Sequence, residues 1–307
     1  MNGQEDHGQE NGQEISYQEI RGQEDHGEED HRQEDHCRPD GTRSKDGRSE
    51  DHRQEGGGIV TGRTRYLIHP DADALAEAIA QRLISRIAEF QAAQPDRLVQ
   101  VALTGGSIAT KAYQRLAADG SQSSVDWTHV ALWWGDERFV AADSEDRNDR
   151  SALAALLPAL PLTEANLNPM PADDGRISLN EATAAFGAEF GDTVFDICLL
   201  GVGPDGHVAS VFPDHPSFEA SLTASVPIIP VRDSPKPPPL RISVTHPVIN
   251  QSAEVWFTVS GADKADAVGW AVTGSKRVPA GEVHGVEQTL WLLDEAAAEH
   301  IPADLLN

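Results

Sequence analysis

Between Tyr66 and Leu293, short apolar runs alternate with stretches of helical period, and that alternation leaves few folds open. Leu98–Leu103 (LVQVAL), Val130–Trp134 (VALWW), Asp196–Leu200 (DICLL) and Glu254–Ser260 (EVWFTVS) read as buried strands. Arg65–His69 and Thr289–Leu293 read as the first and last strands, and Val226–Ile229 is a further apolar run. Between them, Leu75, Ile79, Leu83, Ile84, Ile87 and Phe90 recur with helical period behind candidate caps Asp71 and Asp73. Lys111–Ala118, Ala152–Leu157, Glu181–Phe190 and Lys264–Thr273 supply further helices. Strands alternating with helices predict an α/β fold: a single domain with a mostly parallel, Rossmann-like sheet flanked by helices.

The runs break off into loops that carry chemistry. In open α/β sheets ligands bind outside the carboxyl ends of the strands, so these loops are where a site is expected. After Leu103 comes Thr104-Gly105-Gly106-Ser107 and then a helix, a layout that presents free backbone N–H groups to an anion. The glycines let the backbone approach, and Ser107 can donate its hydroxyl and cap the helix. After Trp134 comes Gly135-Asp136-Glu137-Arg138, three charges that form either a solvated loop or a site. After Leu200 comes Gly201-Val202-Gly203-Pro204-Asp205-Gly206-His207, an acid and an imidazole on a glycine-rich loop.

That last loop also matches the G-x-G-x-x-G dinucleotide fingerprint. The fingerprint needs a helix starting at the glycines and an acid about 20 residues on. Pro213 and Pro216 cut such a helix short, and Glu219 sits in no apolar run, so a nucleotide site is not expected. Further on, Pro235-Lys236-Pro237-Pro238-Pro239-Leu240-Arg241 is either a linker or a rigid rim that aims two cations inward. With only five lysines in the chain, each placement is informative. Lys264, at a helix start, runs against the helix dipole unless a bound anion shares that end.

The formal net charge of −26 argues against nucleic-acid or anionic-membrane partners and requires a local cation cluster for any anionic ligand. Two cysteines, Cys37 and Cys198, suggest neither a disulfide framework nor a thiolate metal site. No apolar run approaches the roughly 20 residues of a membrane span and no signal peptide is evident, so a cytoplasmic chain is expected. Residues 1–58 differ in kind from the rest: a stuttering Gly-Gln-Glu-Asp-His text with 17 acids against 7 lysines and arginines. Its only aliphatic residues are Ile15 and Ile20, too little apolar surface to offset ordering, so a disordered acidic tail is expected before a folded domain over 59–307. A further expectation is that this tail is upstream text rather than native protein, because Val60 can be encoded by an alternative bacterial start codon.

Taken together, several loops resemble the 6-phosphogluconolactonase family, within the fold group that includes glucosamine-6-phosphate deaminases and is described as sugar-phosphate isomerase/CoA-transferase-like. The resemblance rests on Leu103-Thr104-Gly105-Gly106-Ser107, Trp134-Gly135-Asp136-Glu137-Arg138, and Gly203–Pro213, which fits Gly-x-Asp-Gly-His-x-Ala-Ser-x-Phe-Pro. It extends to Pro235-Lys236-Pro237-Pro238 with Arg241-Ile242-Ser243, and to Gly261-Ala262-Asp263-Lys264. Two departures stand out: Ile108-Ala109 replaces the usual Thr-Pro after the Gly-Gly-Ser turn, and Asn148 is followed by Asp149.

The resemblance implies hydrolysis of 6-phosphoglucono-1,5-lactone, the second step of the oxidative pentose phosphate pathway, without metal or organic cofactor. It implies His207 as general base, with Asp136 or Asp205 orienting the imidazole and Arg138 at the oxyanion or a sugar hydroxyl. The substrate phosphate is expected on Gly105-Gly106-Ser107, with Lys264 and Arg241 as charge partners and Lys236 on the binding rim. Two alternatives remain open at this point: a sugar-phosphate isomerase or deaminase on the same fold, and a non-catalytic sugar-phosphate sensor. The sequence leaves the oligomeric state open.

Overall fold

A computed structural model describes residues 62–306; the expectations for residues 1–58 lie outside them. The chain enters on β1 (Arg63–His69), and Asp71 caps α1 (Ala72–Ala93) by accepting the N–H groups of Asp73 and Ala74. Of the two candidate caps it is therefore Asp71 that performs the task. β2 (Val99–Leu103) leads into α2 (Ser107–Gly120), and β3 (Val130–Trp134) into the three-residue β4 (Asp136–Arg138). α3 (Asn148–Leu156) and α4 (Leu179–Phe190) follow, the latter opened by a capping box between Ser178 and Glu181. β5 (Ile197–Leu200), α5 (Pro216–Leu222), β6 (Ile228–Val231), β7 (Arg241–Val244) and α6 (His246–Asn250) precede β8 (Glu254–Val259). α7 (Ala265–Val272) and β9 (Gln288–Asp294) complete the set.

Six strands form one sheet in the order β1-β9-β8-β5-β2-β3, with every pairing parallel. Both faces are covered, and the period-two alternation of the strands divides the core accordingly. Val101, Leu103, Leu132, Trp134, Leu199 and Trp256 face one side, where Leu75, Ile79, Leu83 and Ile87 of α1 and Tyr113 and Leu116 of α2 pack. Ala102, Trp133, Leu200, Phe257 and Trp291 face the other, against Phe186 and Phe190 of α4 and Val268 of α7. Trp291 stacks on Phe257 with ring centroids 3.9 Å apart.

The sequence reading missed a second, antiparallel sheet, β4-β7-β6, in which Arg138 pairs with Arg241 and Ile229 with Ser243. It links the loop after β3 to the Pro-rich segment, so the charged run behind Trp134 is strand rather than loop. Helix starts also shift. α2 begins at Ser107 with Gly106 as its cap at φ +103°, so Ser107 is the first helical residue and not the cap. α3 begins at Asn148, four residues before the helix expected over Ala152–Leu157, and Lys264 caps α7 after a short 3-10 turn. No helix starts at Gly201–Gly206; α5 begins only at Pro216, as the prolines require.

Candidate active site

The loops after β2, β3, β5 and β8 meet at the carboxyl edge of the parallel sheet and enclose a cleft of about 280 Å³. Of the ten residues singled out from sequence, nine line it: Gly105, Gly106, Ser107, Asp136, Arg138, His207, Lys236, Arg241 and Lys264. The tenth, Asp205, stands behind His207 and bonds to it.

His207 is placed by the glycines before it. Gly203 donates its N–H to the His207 carbonyl at 3.0 Å, and a Cβ on Gly203 would fall 2.0 Å from His207 Nδ1, so any side chain there would have to displace the imidazole. Gly206 turns the chain at φ +84° and packs against Val278. Asp205 Oδ1 lies 2.6 Å from Nδ1, and Lys236 Nζ lies 3.3 Å from Nδ1 and 3.6 Å from Oδ1. An ammonium only donates, so Nδ1 cannot serve both neighbours. The shorter, charge-assisted contact assigns Nδ1–H as donor to Asp205 and leaves Lys236 paired with the carboxylate. Nε2 is then the basic nitrogen, and it has no protein partner among the described residues. Burial opposes ionisation of Asp205, but the His207 hydrogen bond and the charges of His207 and Lys236 hold its pKa well below the usual carboxylate range.

Asp136, the other carboxylate considered for His207, does not reach it. It accepts Ser210 Oγ–H at 2.5 Å and stands 3.9 Å from Arg241. Arg241, buried to 5 % exposure, donates to the carbonyls of Lys236, Pro237 and Pro238. It therefore braces the Pro-rich loop that carries Lys236 as well as lining the cleft. Burial lowers the Arg241 pKa, with Asp136 opposing. Lys236 faces the Asp205–His207 pair, and Lys264 lines the same cleft with its ammonium 2.6 Å from Asp263.

At the Gly105-Gly106-Ser107 turn α2 has no side-chain cap, which leaves its first N–H groups to a ligand. Thr104 is fixed beneath by the buried Tyr113 hydroxyl, which bonds to both its N–H and its carbonyl, and burial pushes the phenol pKa up. The lining residues outside those ten include Asn148 and Ser260. Asn148 reaches the cleft because α3 starts early, and its carboxamide lies directly against Gly105. Ser260, at the end of β8, is bonded to Asp294 at 2.5 Å. In sequence Asn148 stands out only as part of a departure from the family pattern and Ser260 only as the end of a strand run, since the place of each in the cleft depends on how distant segments meet. Among the described residues no three His, Cys, Asp or Glu side chains are grouped to share a metal ion. No helix among them is long and apolar enough to cross a membrane.

A doubly covered parallel sheet with a glycine turn at a helix start and an Asp–His pair at the same edge defines an α/β protein with a polar cleft at the carboxyl ends of its strands. The comparisons narrow that class. Residues 70–291 match the glucosamine-6-phosphate isomerases/6-phosphogluconolactonase family, and the chain belongs to it. A 6-phosphogluconolactonase of Streptomyces coelicolor is 40% identical over 78% of this chain and 95% of its own length. Its counterpart from Mycobacterium tuberculosis is 41% identical over 77% of this chain and 98% of its own. The solved 6-phosphogluconolactonase of Trypanosoma brucei, 23% identical, shares the fold with a TM-score of 0.68 over 79% of this chain and 100% of its own.

Proposed function

We propose that this chain hydrolyses 6-phospho-D-glucono-1,5-lactone to 6-phospho-D-gluconate, the second step of the oxidative pentose phosphate pathway, in the cytoplasm. The observation that carries the reading is the placement of His207: Nδ1 is held by Asp205, and Nε2 has no partner among the described residues at a cleft that is also lined by an uncapped helix start. The relatives at 40–41% identity named 6-phosphogluconolactonase support it.

In this reading the phosphate rests on Gly105-Gly106-Ser107 beside Lys264, and the lactone carbonyl lies toward His207. Nε2 takes a proton from water as the water oxygen attacks the carbonyl carbon. Asp205 stabilises the imidazolium that forms. The tetrahedral oxyanion falls to a nearby cation, Arg138 or Lys236. Collapse breaks the bond to the ring oxygen, which recovers the proton from Nε2–H, and the carboxylic acid so formed releases its remaining proton to solvent and leaves as a carboxylate. Four cations around one cleft give an acidic chain the local field an anionic substrate needs. The isomerase or deaminase alternative has weaker support: the solved monomeric glucosamine-6-phosphate deaminase is 18% identical.

The test generates the lactone in situ from glucose 6-phosphate and couples the product to 6-phosphogluconate dehydrogenase. We expect acceleration above spontaneous hydrolysis, and a drop in kcat of about 10²–10⁴ for His207→Ala with little change in KM. Hydrolysis at the spontaneous rate, or near-normal kcat in His207→Ala, overturns the reading.

A further inference from the structure

Glu137 is the middle residue of β4, and the pleat sends it away from the cleft that Asp136 and Arg138 line. It is buried to 1 % exposure yet accepts three backbone hydrogen bonds: Oε1 from the N–H groups of Arg138 and Asn148, each at 2.8 Å, and Oε2 from that of Asp149 at 2.9 Å. Arg147 Nη2 stands 3.9 Å from Oε2. α3 has no cap of its own at Arg147, so a carboxylate from a different element satisfies its N-terminus.

What that carboxylate restrains is functional surface. Asn148, held through its N–H, donates Nδ2–H to the Asp136 carbonyl at 3.1 Å. Its carboxamide lies so close to Gly105 that a Cβ there would fall 2.0 Å from Oδ1. Arg138, held through its own N–H, donates its guanidinium to the carbonyl of Asp146.

We propose that Glu137 is a positioning residue: through Asn148 and the segment 146–149 its carboxylate sets the separation between Arg138 and Asp136 on one wall and the Gly105-Gly106-Ser107 turn on the other. What is positioned rests on the lactonase reading; the clamp itself rests on the hydrogen bonds.

Glu137→Gln puts an NH2 where an oxygen now accepts, setting donor against donor. We expect kcat/KM to fall about 10- to 100-fold, but less than about threefold in an Asn148→Ala background, where the link to Gly105 is already cut. Glu254→Gln, which alters a buried carboxylate paired with Arg86 at the start of β8, should lower Tm and leave kcat/KM within about twofold. Unchanged kcat/KM in Glu137→Gln, or losses from Glu137→Gln and Asn148→Ala that simply multiply, overturns the proposal. Should Glu137→Gln fail to fold, Asn148→Ala decides alone: the clamp requires a KM and a Kd for inorganic phosphate raised at least about fivefold, and unchanged values overturn it. The phosphate titration needs no turnover, so loss of the lactonase reading and loss of the clamp are told apart.

Discussion

At the scale of single residues, Asp205 and His207 of the β5 loop are an i, i+2 pair whose proposed roles follow from which nitrogen is held. Asp205 fixes the Nδ1–H tautomer of His207, and Lys236 balances the charge. Asp205→Asn keeps an oxygen at that place but removes the charge that stabilises an imidazolium. We expect kcat to fall about 10- to 100-fold with KM within about twofold, read from steady-state kinetics. A normal kcat would leave Asp205 a loop residue only. The same substitution has a stability signature. Because the folded chain depresses the Asp205 pKa, it binds fewer protons than the unfolded chain in the acid range. That contribution is complete above the ordinary carboxylate pKa and is lost progressively as pH falls from there through the depressed pKa of the folded chain. Asp205→Asn should therefore flatten the acid limb of Tm against pH. Which carboxylate meets His207 was not legible in the sequence, because Asp136 and Asp205 both follow strands and only the loop path separates them.

Among the elements, central strands were legible because burial on both faces makes them continuous apolar runs, as in VALWW and ICLL. β4 was not, because its inward residue is Glu137 and hydrogen bonds to α3 take the place of apolar packing. The starts of α2 and α3 were hidden for a related reason. Gly106 has no side chain to signal a cap, and the cap of α3 comes from a residue eleven positions earlier. The glycine loop was legible in composition but not in purpose, since Gly203 is required by contact with an imidazole and not by a phosphate. Gly203→Ala tests this. Its Cβ would have to displace His207, and a shift of about 1 Å at a catalytic group can cost on the order of 100-fold. We expect kcat/KM to fall at least about tenfold while the circular dichroism spectrum is unchanged. Wild-type kinetics would mean that the loop relaxes without moving the ring.

For the whole molecule, the two edges of the parallel sheet divide the work. The carboxyl edge gathers the cleft, whereas the amino edge carries buried acids paired with arginines from outside the sheet. Glu254, at the start of β8, binds Arg86 at 2.6 Å and the Trp256 indole at 2.7 Å. Asp196, just before β5, takes both Arg97 terminal nitrogens at 2.9 and 2.6 Å and the Gln100 N–H at 2.7 Å. The carboxylate is buried, but the Arg97 side chain is 40% exposed, so solvent screening reduces what the pair contributes. Arg97→Ala leaves the Asp196 charge with one backbone donor, a loss of about 1–3 kcal/mol. For a domain of this size that corresponds to a fall in Tm of roughly 3–10 °C. Because the substitution lies at the opposite edge from the Asp205–His207 pair, kcat/KM at 25 °C should stay within about twofold. Thermal denaturation and kinetics on one preparation check both halves. A loss of turnover that matches the loss of stability would show the two edges to be mechanically coupled, and would remove the division of labour argued from the topology.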